Sequence, residues 1–210
     1  MVTRKLKVKI NRENVFRQLN CREDSDVYEE FLEEYLKMEQ KMYELCQAVV
    51  LIAHGISGSE LLEEGIQEGT PFLITLYSIG KEISDYSTKC FSQGDYVRGM
   101  LADAMADSAL FSLQDAVAPE LKAMCGQLQM GISRRLEAPK QISMKAQKLL
   151  LEQTGSLQDC GVSITSGYML DPLKSNAVVY LLTEDREIFR YQHDCRECDR
   201  YDCINRCVKN

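Results

Sequence analysis

The sequence predicts an α+β protein: a single domain with mixed helices around a largely antiparallel sheet, followed by a short cysteine-rich tail. Three observations carry that expectation. Long segments repeat apolar residues at helical spacing, with charged residues between them. Compact runs rich in β-branched and aromatic residues alternate with those segments, and the last of these runs follow one another at hairpin distance. Four cysteines then crowd into residues 195–207, beyond the last strand-like run.

Taken in order, KLKVKI reads as a charged strand whose Lys5, Lys7 and Lys9, with Arg4 before them, form a solvated face. NRENVFRQLN reads as a short helix. DSDVYEEFLEEYLKMEQKMYELC reads as a long one opened by an Asp/Ser cap, with Val27, Phe31, Leu32, Tyr35, Met38, Met42 and Leu45 facing inward. Glu29, Glu30, Glu33 and Glu34 make its wet face. AVVLIA and TPFLITLYSIG are strands, the second passing through a glycine into the amphipathic helix KEISDYSTKCF. GDYVRGMLADAMADSALFSLQDAV is a second long helix, opened at Gly94 or Asp95 and stopped near Pro119, whose alanines and serines let a neighbour approach closely. PELKAMCGQLQMGI and SMKAQKLLLEQTG are further helices, the latter capped by Ser143 and ended by Gly155. GVSIT, NAVVYLLT and EIFRYQ are strands, the last two joined across EDR as a hairpin. No repeat is evident, and the boundary falls at His193, giving a domain over 1–192 and a cysteine-rich, metal-binding tail over 193–210.

The 210 residues suit one domain with a sizeable core. A composition 45% hydrophobic and 27% charged, with four prolines, excludes extended disorder. The net charge of −7 argues against a nucleic-acid backbone as main partner, because phosphate binding needs a basic surface. MVTRKLKVKINREN lacks the apolar core of a secretory signal and no run approaches a membrane span, so a cytoplasmic location is expected. In that reducing compartment nine cysteines do not imply a disulfide framework. Cys21, Cys46, Cys90, Cys125 and Cys160 stand singly and read as packing residues.

The other four are spaced Cys195-x2-Cys198-x4-Cys203-x3-Cys207, close enough for short loops to converge their sulfurs on one centre. Ligands packed this tightly suit an iron–sulfur cluster; zinc, which more often takes two pairs separated by a longer loop, and a tail without stable metal are the alternatives. His193 is either a substitute ligand or a solvated, capping residue. His54, in LIAHGISG, reads as structural, and Ile52 stands where an Asp-x-His-x-x-Gly corrinoid motif needs aspartate. Dinucleotide, phosphate-loop, nucleophile-elbow and zincin motifs are absent.

INRENVFRQLN, FLITLYSIGKEISDYSTKCFSQGDYVRGMLADAMADSAL, SRRLEAP and SITSGYMLDPLKSNAVV, in that order and spacing, resemble the activation domain of cobalamin-dependent methionine synthase in a free-standing form. The resemblance spans Lys7 to about Tyr191. It implies a domain that binds S-adenosylmethionine and presents its methyl group to a corrinoid in the inactive cobalt(II) state, where one electron reduces the cobalt and methyl transfer traps the product. Such a domain contributes positioning rather than covalent chemistry, which suits the scarcity of acid/base motifs. The resemblance implies that Arg135 pairs the donor's carboxylate; Glu137 and Tyr168 are the other candidate cofactor-binding residues. Pro139 and Lys140 occupy the family's Gly-Tyr positions, Phe111 falls where its helix carries a glutamate, and Pro172 and Ser175 match the later segment.

Two functions follow. In the first, the chain is a reductive activation factor for a corrinoid- or cobalamin-dependent methyltransferase, with cobalamin supplied by a partner and the tail's iron–sulfur cluster delivering the electron. In the second, it is a non-catalytic binding or adaptor module of the same fold with a structural zinc in the tail.

Overall fold

The two longest β-branched runs each place apolar side chains on both faces, which only a strand covered on both sides can tolerate. In the computed structural model, both are inner strands of a five-stranded sheet. The structure describes residues 2–4 (backbone only), 6–155, 157, 160–196, 198, 201 and 203.

The elements follow as β1 (Val2–Arg4), α1 (Arg12–Gln18), α2 (Tyr28–Leu45), β2 (Val49–Ile56), a 3-10 helix (Ser59–Glu64), β3 (Pro71–Ser78), α3 (Glu82–Ser92), α4 (Tyr96–Ala116), α5 (Ala118–Leu128), β4 (Gly131–Leu136), α6 (Met144–Gln153), β5 (Ser163–Ile164), β6 (Leu170–Asp171) and β7 (Ser175–Thr183). The main sheet runs β1-β2-β3-β7-β4 and every pairing in it is antiparallel. β5 and β6 form a separate small hairpin. The α+β class and the antiparallel sheet are thus as expected.

Alternation along β3 and β7 divides the interior into two cores. Leu73, Tyr77, Val178, Tyr180 and Leu182 join buried residues of α1, α2, α4 and α5 on one face. Phe72, Ile74, Leu76, Ala177, Val179 and Leu181 face the other way, against Leu61 and the buried side of α6. α4 is the pillar of the first core: Leu101, Ala102, Met105, Ala109 and Leu113 are all inaccessible to solvent. On the same helix Gly99 lies directly against the Phe91 ring, where a Cβ would collide.

A buried lysine fastens this pillar to the sheet. Lys174 Nζ pairs with Asp103 at 2.8 Å and Asp107 at 2.6 Å, and Asp107 also accepts from Gln18 Nε2 at 2.7 Å. One cation therefore holds α1, α4 and the start of β7 together.

Several expectations are corrected. The N-terminal strand is Val2–Arg4; Lys7 and Lys9 lie beyond it, and the Lys9 amide donates to Ser112 Oγ instead of to a ladder. α2 begins one residue after Val27 without a side-chain cap, because residues 22–28 are spent on successive turns. α5 stops at Leu128, where Gln129 turns left-handed (φ 59°), and Gly131 and Ile132 start β4 rather than extending the helix. EIFRYQ is not the second arm of a hairpin. β7 already pairs with β3 and β4, so no edge is left for it. The segment instead runs parallel beside β4, with the Ile132 amide donating to Ile188 O at 2.8 Å and the Arg190 amide to Ile132 O at 3.0 Å. Ser143 does cap α6, accepting from the Ala146 amide while bonding Glu64. Among the described residues no helix is long and apolar enough to cross a membrane.

Gly131 makes the parallel return possible: a Cβ there would press into the carbonyl oxygens of Asp185 and Ile188. Gly131→Ala should therefore cost about 2 kcal/mol or more in urea denaturation and raise hydrogen exchange at the Arg190 amide. An unchanged midpoint with unchanged exchange would refute this account.

Candidate ligand cavity beneath the cysteine tail

The register shift between Ile132 and Arg134 in β4 decides which arginine enters the molecule. Ile132 points into the helix-side core; strict alternation from it would send Arg134 inward. The shift resets the alternation, so Arg134 is exposed and Arg135 takes the inward position beside Tyr180. Leu136 then fills the opposite core and Glu137 returns to the side of Arg135.

Arg135 leaves only 9% of its side chain accessible. Its Nη2 donates to Glu137 Oε1 at 2.5 Å and to Gln114 Oε1 at 3.2 Å, while its Nε is buried without a hydrogen-bond partner among the described residues. Glu137 is also approached by Asn176 Nδ2 at 3.5 Å, and its Oε2 lies 3.8 Å from His193 Nδ1. Beneath them the Tyr77 hydroxyl is buried with no described partner of normal geometry. Burial pushes the Tyr77 and Tyr180 phenols above their ordinary range, keeping both neutral donors at physiological pH.

Around this floor stands a cavity of about 740 Å³, walled by α1 through Gln18, by α4 through Phe111 and Gln114, and by Tyr191 and His193 of the return segment. That volume lies in the range of small-molecule sites. Cys195, Cys198 and Cys203 line the same cavity; Cys207 lies outside the described residues. The donor set has the thiol chemistry that a cluster or zinc requires. Among the described residues, however, no three His, Cys, Asp or Glu side chains are close enough together to hold a metal ion. Beside the cysteines, the Arg196 guanidinium holds the Asp194 carboxyl down at about 2.

Arg135 and Glu137 thus come together, and Phe111 reaches the same cavity from α4. Tyr168 does not line it: it sits in the β5–β6 turn at φ 64°, with Lys148 Nζ 5.7 Å from its ring centre. Ser175 opens β7 and bonds Ser78. Pro139 and Lys140 follow Ala138 out of the wall, and His54 is an exposed residue of β2. Of the single cysteines, Cys21, Cys90 and Cys125 are buried, and burial pushes the Cys46 thiol up to about 11, consistent with packing roles. Gln114, Asn176 and Tyr180 carry no sequence signal of their own; a polar residue on the β7 run, four positions before Tyr180, is the one available hint.

Removing Glu137 should expose the cost of an enclosed guanidinium. Glu137→Ala is expected to destabilise the fold by about 2–3 kcal/mol, and Glu137→Gln by less because its amide oxygen still accepts. Denaturant titration of the two variants checks the ordering; equal losses would mean that the charge plays no part.

No family model matches the chain, and no curated protein matches it. Among solved structures it is similar to the MetH reactivation domain bound to AdoHcy, with 12% identity, a TM-score of 0.52, and coverage of 82% of this chain and 71% of that one. At that identity the shared property is the fold: this chain has the architecture of that reactivation domain.

Proposed function

We propose that the chain is an S-adenosylmethionine-binding reductive activation factor for a corrinoid- or cobalamin-dependent methyltransferase, with electron delivery through a C-terminal iron–sulfur cluster. One observation carries the reading: three of the four tail cysteines line the same cavity as a buried, incompletely bonded arginine. The structural neighbour is bound to AdoHcy, which supports a ligand of that class.

In this reading Arg135 binds the donor's carboxylate by taking Nη2 from Glu137. Tyr180 offers a neutral donor in the cavity wall, and Phe111 covers the apolar side. The 193–210 tail is a small metal-binding appendage to the 1–192 domain, with Cys207 as fourth ligand. A cluster there supplies one-electron transfer when bound. The protein orients the donor, excludes water and keeps electron source and methyl source on one cavity. The corrinoid arrives on a partner, and the setting is cytoplasmic. Tyr168, outside this cavity, is the one candidate for which the reading has no use.

The second reading, an adaptor with structural zinc, is favoured by the pairing of Arg135 with Glu137, which already gives the arginine an internal carboxylate. Protein purified without oxygen separates the two. A brown chromophore with about four irons per chain supports the activator; colourless protein with about one zinc supports the adaptor.

Two further outcomes are expected. Cys198→Ser and Cys203→Ser should each lose most of the bound metal while the body still melts cooperatively; full retention by either variant would sink the four-ligand proposal. Calorimetric titration of S-adenosylmethionine should show binding that Arg135→Ala weakens by roughly 1.5–3 kcal/mol, provided the variant keeps the native circular dichroism. Undetectable binding to the native chain would count against the activator.

A further inference from the structure

A second cavity, of about 840 Å³, opens beside the first, with the stretch Tyr191–Cys195 contributing to the walls of both. Its chemistry is different. Four arginines line it, Arg134, Arg135, Arg190 and Arg196, against two acidic residues, Glu137 and Asp194. An excess of cationic side chains is gathered at one opening of a chain whose net charge is −7.

The internal pairing leaves much of that charge unanswered. Arg196 is committed to Asp194, with Nη2 at 2.8 Å from one carboxylate oxygen and Nε at 3.0 Å from the other. Arg135 is held by Glu137, yet its buried Nε has no acceptor among the described residues. Arg134 and Arg190 are exposed, and neither side chain has an acceptor among the described residues. They come from different segments that the fold forces together: Arg134 is turned outward by the bulge in β4, and the Arg190 amide is bonded to Ile132 O in that same strand. Gathering unpaired cationic side chains around one opening is unfavourable unless an anion comes between them. Planar forks approaching from two backbones match the several oxygens of a phosphate better than a single carboxylate. Phe189 and Tyr191, in contact with ring centres 5.1 Å apart, line the same opening.

We propose that this second cavity binds a phosphate group, as free phosphate or on a small phosphorylated molecule, between Arg134 and Arg190. The site is separate from the one proposed for the methyl donor and does not depend on the metal in the tail. Its proximity to Arg135 and Cys195 would make occupancy felt in the first cavity.

The test uses the full chain in chloride buffer, titrated calorimetrically with inorganic phosphate and, in a second arm, with adenosine monophosphate. Arg134→Gln/Arg190→Gln is compared with Lys7→Gln/Lys9→Gln, which removes the same charge from an exposed stretch elsewhere. Saturable binding by native protein, weakened roughly tenfold or more by the arginine pair and unaffected by the lysine pair, is the expected result. Tighter binding of the nucleotide would identify a phosphate carried on an aromatic molecule; equal affinity would identify phosphate alone. No saturable binding of either probe, or equal losses in both double variants, would overturn the proposal. S-adenosylmethionine carries no phosphate, so failure here leaves the methyl-donor reading standing, and failure of that reading leaves this site intact.

Discussion

Everything near the candidate site depends on β7 having no free surface. Both its edges are hydrogen-bonded, to β3 and β4, and both its faces are buried in separate cores. A chain leaving such a strand cannot add another strand beside it. After Thr183 it turns, passes over Gly131 and runs along the outer edge of β4. That detour shields the sheet edge. It also carries His193 to Glu137 and brings the described tail cysteines to the mouth of the cavity. The tail's position follows from the saturation of a strand rather than from an attraction of its own.

The second constraint is the single irregularity in β4. A regular strand would have put Arg134 inside and Arg135 on the surface; the bulge exchanges them and so decides which guanidinium faces the helices and which faces solvent. One extra residue thereby creates two environments. Arg135 is enclosed, paired with Glu137 and short of one partner among the described residues, whereas Arg134 is exposed and lines the second cavity together with Arg190. Arg135 lines both adjacent cavities and Arg134 only the second. Enclosure strengthens the pairing of Arg135 and raises the cost of leaving its Nε unsatisfied, which is why that face reads as a place for a ligand.

Lys174 follows the same logic with its partners already in place. It is as buried as Arg135, but two aspartates from α4 meet it and one of them is anchored by Gln18. The comparison separates a structural cation from a candidate ligand-binding one: the first has its partners in the fold, and the second has an Nε without a partner among the described residues.

The sequence alone determined the class of the fold and most of its elements, because apolar periodicity and end signals are local. The strands centred on Leu51 and Ile74, the helix opened by Asp95 and the helix capped by Ser143 all rest on neighbours a few residues away. It also marked Arg135, through an ordered resemblance, and the tail cysteines, through their spacing. What it could not contain was the pairing order. EIFRYQ has the composition of a strand, and only the occupation of both β7 edges denies it one; MGI has the composition of a helix end, and only the demand for an outer partner to β7 makes it β4. The partners of Arg135 are hidden for the same reason. Gln114, Asn176 and Tyr180 are ordinary residues until a bulge, a long helix and a central strand meet, since a side chain's electrostatic environment is a property of what lies across the fold from it.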